Sequence, residues 1–91
     1  MKTKLTYFGH ACFMLTNGDV SMIFDPFLTG NTWDIEKKED IKCQYIFVSH
    51  GHDDHYGDTE FIAKANDALV ISTAEVAGKA AAAGCRTHAM H

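Results

Sequence analysis

The spacing of apolar and polar positions changes along the chain. Leu5 and Tyr7, the run Cys12 to Leu15 and the run Val20 to Phe24 are short apolar stretches rich in strand formers. Between the last two lies Thr16-Asn17-Gly18-Asp19, with the Asn-Gly pair favoured in tight hairpins. The pattern predicts antiparallel strands over the first 25 residues, with Gly9-His10 marking a break or bulge. Asp25-Pro26 ends the last strand, because proline has no N–H to give a central ladder. From Thr29 to Lys42 polarity rises and apolar spacing weakens, so this segment reads as a long mobile connection holding at most a short helical turn.

Tyr45 to Val48 is a continuous apolar run, suited to a strand covered on both faces. Asp58 is placed to cap a helix over Thr59 to Asn66, in which Phe61, Ile62 and Ala65 fall at helical spacing and Glu60 sits in the first turn. Leu69 to Ser72 reads as a further strand. Thr73 to Ala83 is an alanine-rich helix closed by Gly84. The predicted order is antiparallel strands followed by β-α-β-α, an α/β chain forming one domain over residues 1–91. No repeat or low-complexity linker interrupts it, and the run Ala80 to Ala83 expresses helix propensity.

Composition narrows the classes. A chain of 91 residues buries about 60–65% of its unfolded surface, which gives a modest core. With 46% hydrophobic and 22% charged residues it has the make-up of a folded globular domain. Cys12, Cys43 and Cys85 are odd in number and widely spaced, against both a disulfide framework and a Cys-x-x-Cys zinc site, and they read as buried small hydrophobes. A net charge of −4 with scattered lysines provides no basic stripe and argues against a nucleic-acid partner. No apolar run approaches the roughly 20 residues of a membrane span, and "MKTKLTYFGH" lacks the features of a signal peptide. These absences predict no membrane association and a cytoplasmic location.

The chemistry is concentrated in one place. Three of the six histidines and two aspartates fall between His50 and His55, directly after the apolar run. In an extended segment His50 and His52 point the same way and can pinch one ion, with Gly51 removing bulk between them. Asp54 and His55 are adjacent and diverge unless the backbone turns. A turn into the following helix lets them face a second point a few Å away. Two neighbouring divalent ions follow, and mixed imidazole and carboxylate donors suit zinc, manganese or iron better than calcium or magnesium. Asp53 reads as solvated.

His50-Gly51-His52-Asp53-Asp54-His55 fits the H-x-H-x-D-H signature, and the chain resembles the metallo-β-lactamase-fold metal-dependent hydrolases. The stretches "TYFGHACFML", "IFDPFLTGN" and "GDTEFIAKAN" look like the branch related to ascorbate-6-phosphate lactonases, so the resemblance covers nearly the whole chain. It implies the N-terminal half of an αββα sandwich and two zinc ions, with manganese or iron as alternatives. By the same resemblance, His50 and His52 would bind the first ion and Asp54 and His55 the second, and Asp54 would help position the attacking water. Asp25 would orient a ligand histidine by hydrogen bond, its other reading being a turn aspartate before proline. His10 would lie near the site, touching substrate or a metal, or would be a structural histidine at a strand break.

Relatives of this kind are usually more than twice as long, and their second half supplies further ligands, so each ion here has two. His88 and His91 either replace those ligands or belong to a frayed terminus. The implied activity is hydrolysis of a small-molecule lactone, phosphodiester or amide by a metal-activated water, with Phe27 and Trp33 lining an entrance or packing. The other reading is a non-catalytic metal-binding half-domain or interaction module. The chain is then a truncated piece of a longer protein, a natural half-domain, or one that pairs with itself; half of a sandwich leaves one sheet face bare, which implies a homodimer or a complementary half-domain.

Overall fold

The computed structural model describes residues 3–9, 11–28, 38–51 and 53–90, with the backbone alone at Asp53 and Asp54. Three antiparallel strands open the chain: β1 (Thr3–Gly9), β2 (Cys12–Asn17) and β3 (Val20–Phe24). The register of β1 on β2 slips between Tyr7 and Gly9, where the sequence predicts a bulge, and Gly9 takes a φ of 99°. Asn17 pairs with Val20, so the second hairpin loop is Gly18-Asp19, and the positive φ of 63° falls on Gly18. Glycine at the first central position is the preference of a type II′ turn, one residue later than the Asn-Gly reading expects.

The sheet then continues in parallel. β4 (Tyr45–Phe47), β5 (Leu69–Thr73) and β6 (Arg86–Met90) add one after another, and the strand order is β1-β2-β3-β4-β5-β6. A short α1 (Asp53–Tyr56) and α2 (Thr59–Asn66) join β4 to β5, and α3 (Ala74–Ala82) joins β5 to β6. Residues of α2 and α3 share one buried cluster with Ile23, Ile46 and Val70, so both helices cover the same face, as crossovers of one hand between strands stepping in one direction require. Residues 29–37 of the expected connection lie outside the described residues, and its end forms a short 3-10 turn at Lys38–Asp40.

Three sequence readings need correction. Arg86 to Met90 is a strand and not a frayed terminus. Its own pattern is polar, and its order comes from a ladder of partners on β5, with His88 opposite Ile71. Asp58 occupies the N-cap position of α2 without a capping hydrogen bond, because its Oδ2 accepts the Leu28 N–H at 3.0 Å instead. The third concerns β4, which has one face covered and one half-covered.

On the covered face Ile23, Ile46 and Val70 stand in register across β3, β4 and β5 with no exposure, packed against Ile62 and Ala63 of α2 and Val76 and Ala80 of α3. On the other face Tyr7, Phe13, Phe24, Phe47 and Ile71 form a row across five strands. Phe13 and Phe24 stack at 4.5 Å between ring centroids, and Phe24 meets Phe47 at 5.5 Å. The three phenylalanines and Ile71 are half-buried, while Tyr7 and Leu5 at the edge are 48% and 64% exposed.

The α3 helix ends as predicted. Gly84 has a φ of 94°, and the N–H groups of Gly84 and Cys85 donate to the carbonyls of Ala81 and Ala80, both at 3.0 Å, the paired bonds of a Schellman motif. Among the described residues no helix is long and apolar enough to cross a membrane.

Candidate metal centre

β3 and β4 are parallel neighbours, so their C-terminal ends open at the same edge of the sheet, the usual position of a site in such architectures. Asp25 follows one and Ser49-His50 follow the other. The chain leaving β4 is held on both sides. The Asp25 N–H donates to the Phe47 carbonyl at 2.8 Å, the Val48 N–H donates to the Ile71 carbonyl at 3.1 Å, and the Ser72 hydroxyl donates to the Val48 carbonyl.

Asp25 has a φ of 45°, in the left-handed region that aspartate tolerates better than most residues. The residue is buried, its side chain 10% exposed, and the carboxylate meets three groups. Oδ1 accepts the Ser49 N–H at 2.6 Å, Oδ2 accepts the Ser49 hydroxyl at 2.6 Å, and Oδ2 lies 3.0 Å from His55 Nδ1. A carboxylate this enclosed needs such partners to offset lost hydration. Ser49 Oγ also stands 2.9 Å from His50 Nδ1, and the rings of His50 and His55 lie 4.8 Å apart.

The far end of the motif is clipped to the segment after Asp25. Asp58 N–H donates to the Pro26 carbonyl at 2.8 Å, while Asp58 Oδ2 accepts from Leu28 N. Gly57 makes this approach possible: its φ is 40°, and a Cβ there would lie 2.6 Å from the Pro26 oxygen and 2.8 Å from Phe27 Cα. The Thr59 hydroxyl donates to the Tyr56 carbonyl and ties α1 to α2. One short stretch, Asp25 to Leu28, thus holds the motif at Ser49, at His55 and at Asp58.

Of the site residues expected from sequence, the structure brings together His50, His55 and Asp25. His10, His52, His91 and Trp33 lie outside the described residues, as does the side chain of Asp54. Among the described residues no group of three or more histidine, cysteine or acidic side chains is arranged to hold a metal ion. The donors that are described fit a divalent ion of the zinc class in kind, since they are two imidazoles with Nδ1 engaged by a carboxylate or by a hydroxyl bonded to it. Cys12 contributes no thiolate: burial pushes its thiol up to about 12, with the Asp25 and Asp58 carboxylates adding to a rise that a backbone hydrogen bond from Phe27 opposes. Burial alone pushes Cys43 up to about 11. Both are buried small hydrophobes, as expected.

Sequence reasoning passed over Ser49. The available signal was a hydroxyl between a buried strand and the first histidine, within local hydrogen-bonding reach of the ring.

Over 88 residues the chain is 48% identical to a metal-dependent hydrolase of Natranaerobius thermophilus and 49% identical to the metal-dependent hydrolase YtkL of Bacillus subtilis, covering 97% of this chain and 40% and 39% of theirs. The chain therefore spans about 40% of the length of these curated relatives. Igni18, a metallo hydrolase from the hyperthermophilic archaeon Ignicoccus hospitalis, superposes with a TM-score of 0.88 at 28% identity, over 98% of this chain and 40% of that one. The fold is accordingly the α/β architecture of metallo-β-lactamase-type hydrolases, over part of their length. The model of the beta-lactamase superfamily domain matches residues 4–89, and the chain belongs to that family.

Proposed function

We propose that this chain carries the metal-binding motif of a cytoplasmic metal-dependent hydrolase acting on a small molecule. His50 and His52 hold one divalent ion, and Asp54 and His55 hold a second, with zinc favoured and manganese or iron as alternatives. The observation that carries the reading is the joint engagement of Asp25 with His55 Nδ1 at 3.0 Å and, through Ser49, with His50. Ligand histidines characteristically give their second ring nitrogen to a carboxylate or its relay. A bound ion of this class supplies Lewis acidity and a nucleophile at neutral pH by acidifying water. The chain's own residues orient the donors: Asp25 fixes the His55 ring, Asp54 positions the water, and the Pro26 to Leu28 clip keeps α1 against the strand ends. His10 contributes near the site, toward substrate or metal. An open hollow beside Gly51, lined by Glu75, Val76 and Lys79, offers room for part of a substrate next to the motif.

The half-exposed aromatic row supports a further element of the reading, that a second copy or a complementary chain covers this face. Burying apolar surface is worth about 25 cal/mol per Å², and an ordinary stable interface takes roughly 800 Å² from each partner. A second reading is a metal-binding module without turnover.

Metal content, molar mass by light scattering and hydrolysis of simple lactones and phosphodiesters, measured on one sample, separate these readings. Bound metal with turnover supports the hydrolase. Bound metal without turnover, in a sample of confirmed fold, supports the module. His52→Ala should strip most of the first ion, and unchanged metal content in that variant removes His52 from the ligand set.

A further inference from the structure

We propose that Ser49 is a positioning residue whose hydroxyl passes the Asp25 carboxylate on to His50, so that one buried carboxylate fixes the ring orientation and proton position of both His50 and His55. The inference rests on the reading of these two histidines as ligands. A serine hydroxyl has a single proton to donate, and an ionised carboxylate can only accept. Ser49 Oγ lies 2.6 Å from Asp25 Oδ2, so the proton belongs on that line. The contact of 2.9 Å between Oγ and His50 Nδ1 then requires the ring to be the donor, which puts the proton on Nδ1 and leaves Nε2 as the basic nitrogen. His55 reaches the same state directly, through Nδ1 at 3.0 Å from the same Oδ2.

The serine is well held for this task. Its backbone N–H donates to Asp25 Oδ1 at 2.6 Å while its hydroxyl donates to Oδ2, so two bonds to one carboxylate set its position. His55 Nδ1 is also 3.5 Å from Ser49 Oγ, at the margin of hydrogen bonding, which brings both rings to the same oxygen pair. An imidazole without such a constraint prefers its proton on Nε2, the wrong tautomer for coordination through that nitrogen. Removing the hydroxyl therefore releases His50 and leaves His55 under the control of Asp25.

Ring nitrogen NMR of the metal-free chain, at a pH where the imidazoles are neutral, reads this directly in the wild type, Ser49→Ala and Ser49→Thr. The expected result is Nδ1–H at both histidines in the wild type, a shift of His50 toward Nε2–H in Ser49→Ala with His55 unmoved, and return of His50 to Nδ1–H in Ser49→Thr. Zinc affinity of the alanine variant should fall about 10–100-fold and recover with threonine. An unchanged amide fingerprint in Ser49→Ala excludes a folding defect, since the backbone bond to Asp25 is retained. His50 as Nε2–H in the wild type, or still as Nδ1–H in Ser49→Ala, overturns the proposal. If the wild type binds no zinc while the tautomer follows Ser49, the ligand reading fails and the positioning role stands. If all three bind zinc equally and the tautomer does not move, the positioning role fails and the ligand reading stands.

Discussion

Asp25 Oδ2 lies 3.0 Å from His55 Nδ1 across a separation of 30 residues, and the same oxygen accepts the Ser49 hydroxyl at 2.6 Å. This contact joins the end of β3 to the helix turn that follows β4. It holds because β3 and β4 are parallel and end together, and because the left-handed backbone at Asp25 turns the carboxylate toward the loop.

Replacing Asp25 tests the contact. Asparagine tolerates the left-handed backbone and keeps one acceptor, so Asp25→Asn should fold and lose about 10–100-fold in zinc affinity by chelator competition. Asp25→Ala should in addition lose about 1–3 kcal/mol of stability in urea, because Ser49 and His55 lose their acceptor. Full affinity in the asparagine variant would show that the carboxylate does not orient the histidine.

Two glycines should respond with opposite signs. At Gly57 a Cβ meets Pro26 and Phe27 backbone below 3.0 Å on a positive φ, so Gly57→Ala should cost about 2–4 kcal/mol. At Gly78, exposed in α3, nothing lies within 4 Å, and Gly78→Ala should stabilise by about 0.5–1 kcal/mol through helix propensity. Urea midpoints of the two variants check both signs.

Alkaline pH should loosen the core. The thiols of Cys12 and Cys43 rise from an ordinary 9.0 to about 12 and about 11 on folding. The fold favours their protonated form, so their contribution is complete below pH 9 and is lost as pH climbs through 11 and 12. Thermal midpoints should fall over that range, and Cys12→Ala with Cys43→Ala should flatten the dependence. An equal slope in the double variant would assign the loss to other groups.

The aromatic face should associate. Light scattering at micromolar concentration should give about twice the monomer mass, and lysine at the exposed edge positions Leu5 and Tyr7 should shift the sample toward monomer. A stable monomer in the unmodified chain would remove self-pairing from the account.

The parts legible in sequence were those with a local cause. The three N-terminal strands, the bulge at Gly9, both longer helices and the glycine stop at Gly84 follow from periodicity and from backbone freedom at single residues. β6 was missed because its order comes from β5 and not from its own pattern. Asp58 looked like a cap because capping is local, whereas its actual partner, Leu28, lies 30 residues away. At the site, spacing paired His50 with His52 and Asp54 with His55 on two neighbouring points, the approach of the His50 ring to the His55 ring is a finding of the structure, and Asp25 was placed from the family resemblance. Ser49 carried only the signal of a hydroxyl next to the first histidine, and that was passed over, since a serine acquires a role only when the carboxylate that takes its proton is known to stand beside it.

The central claim is that the cluster after β4 binds metal through its histidines. Elemental analysis of the chain after zinc loading and desalting, compared with a His50→Ala, His55→Ala double variant of matched circular dichroism, tests this most directly. The account predicts at least one zinc per wild-type chain and loss of most of it in the double variant. A folded wild-type chain that retains no zinc, or a double variant that retains as much, would contradict it.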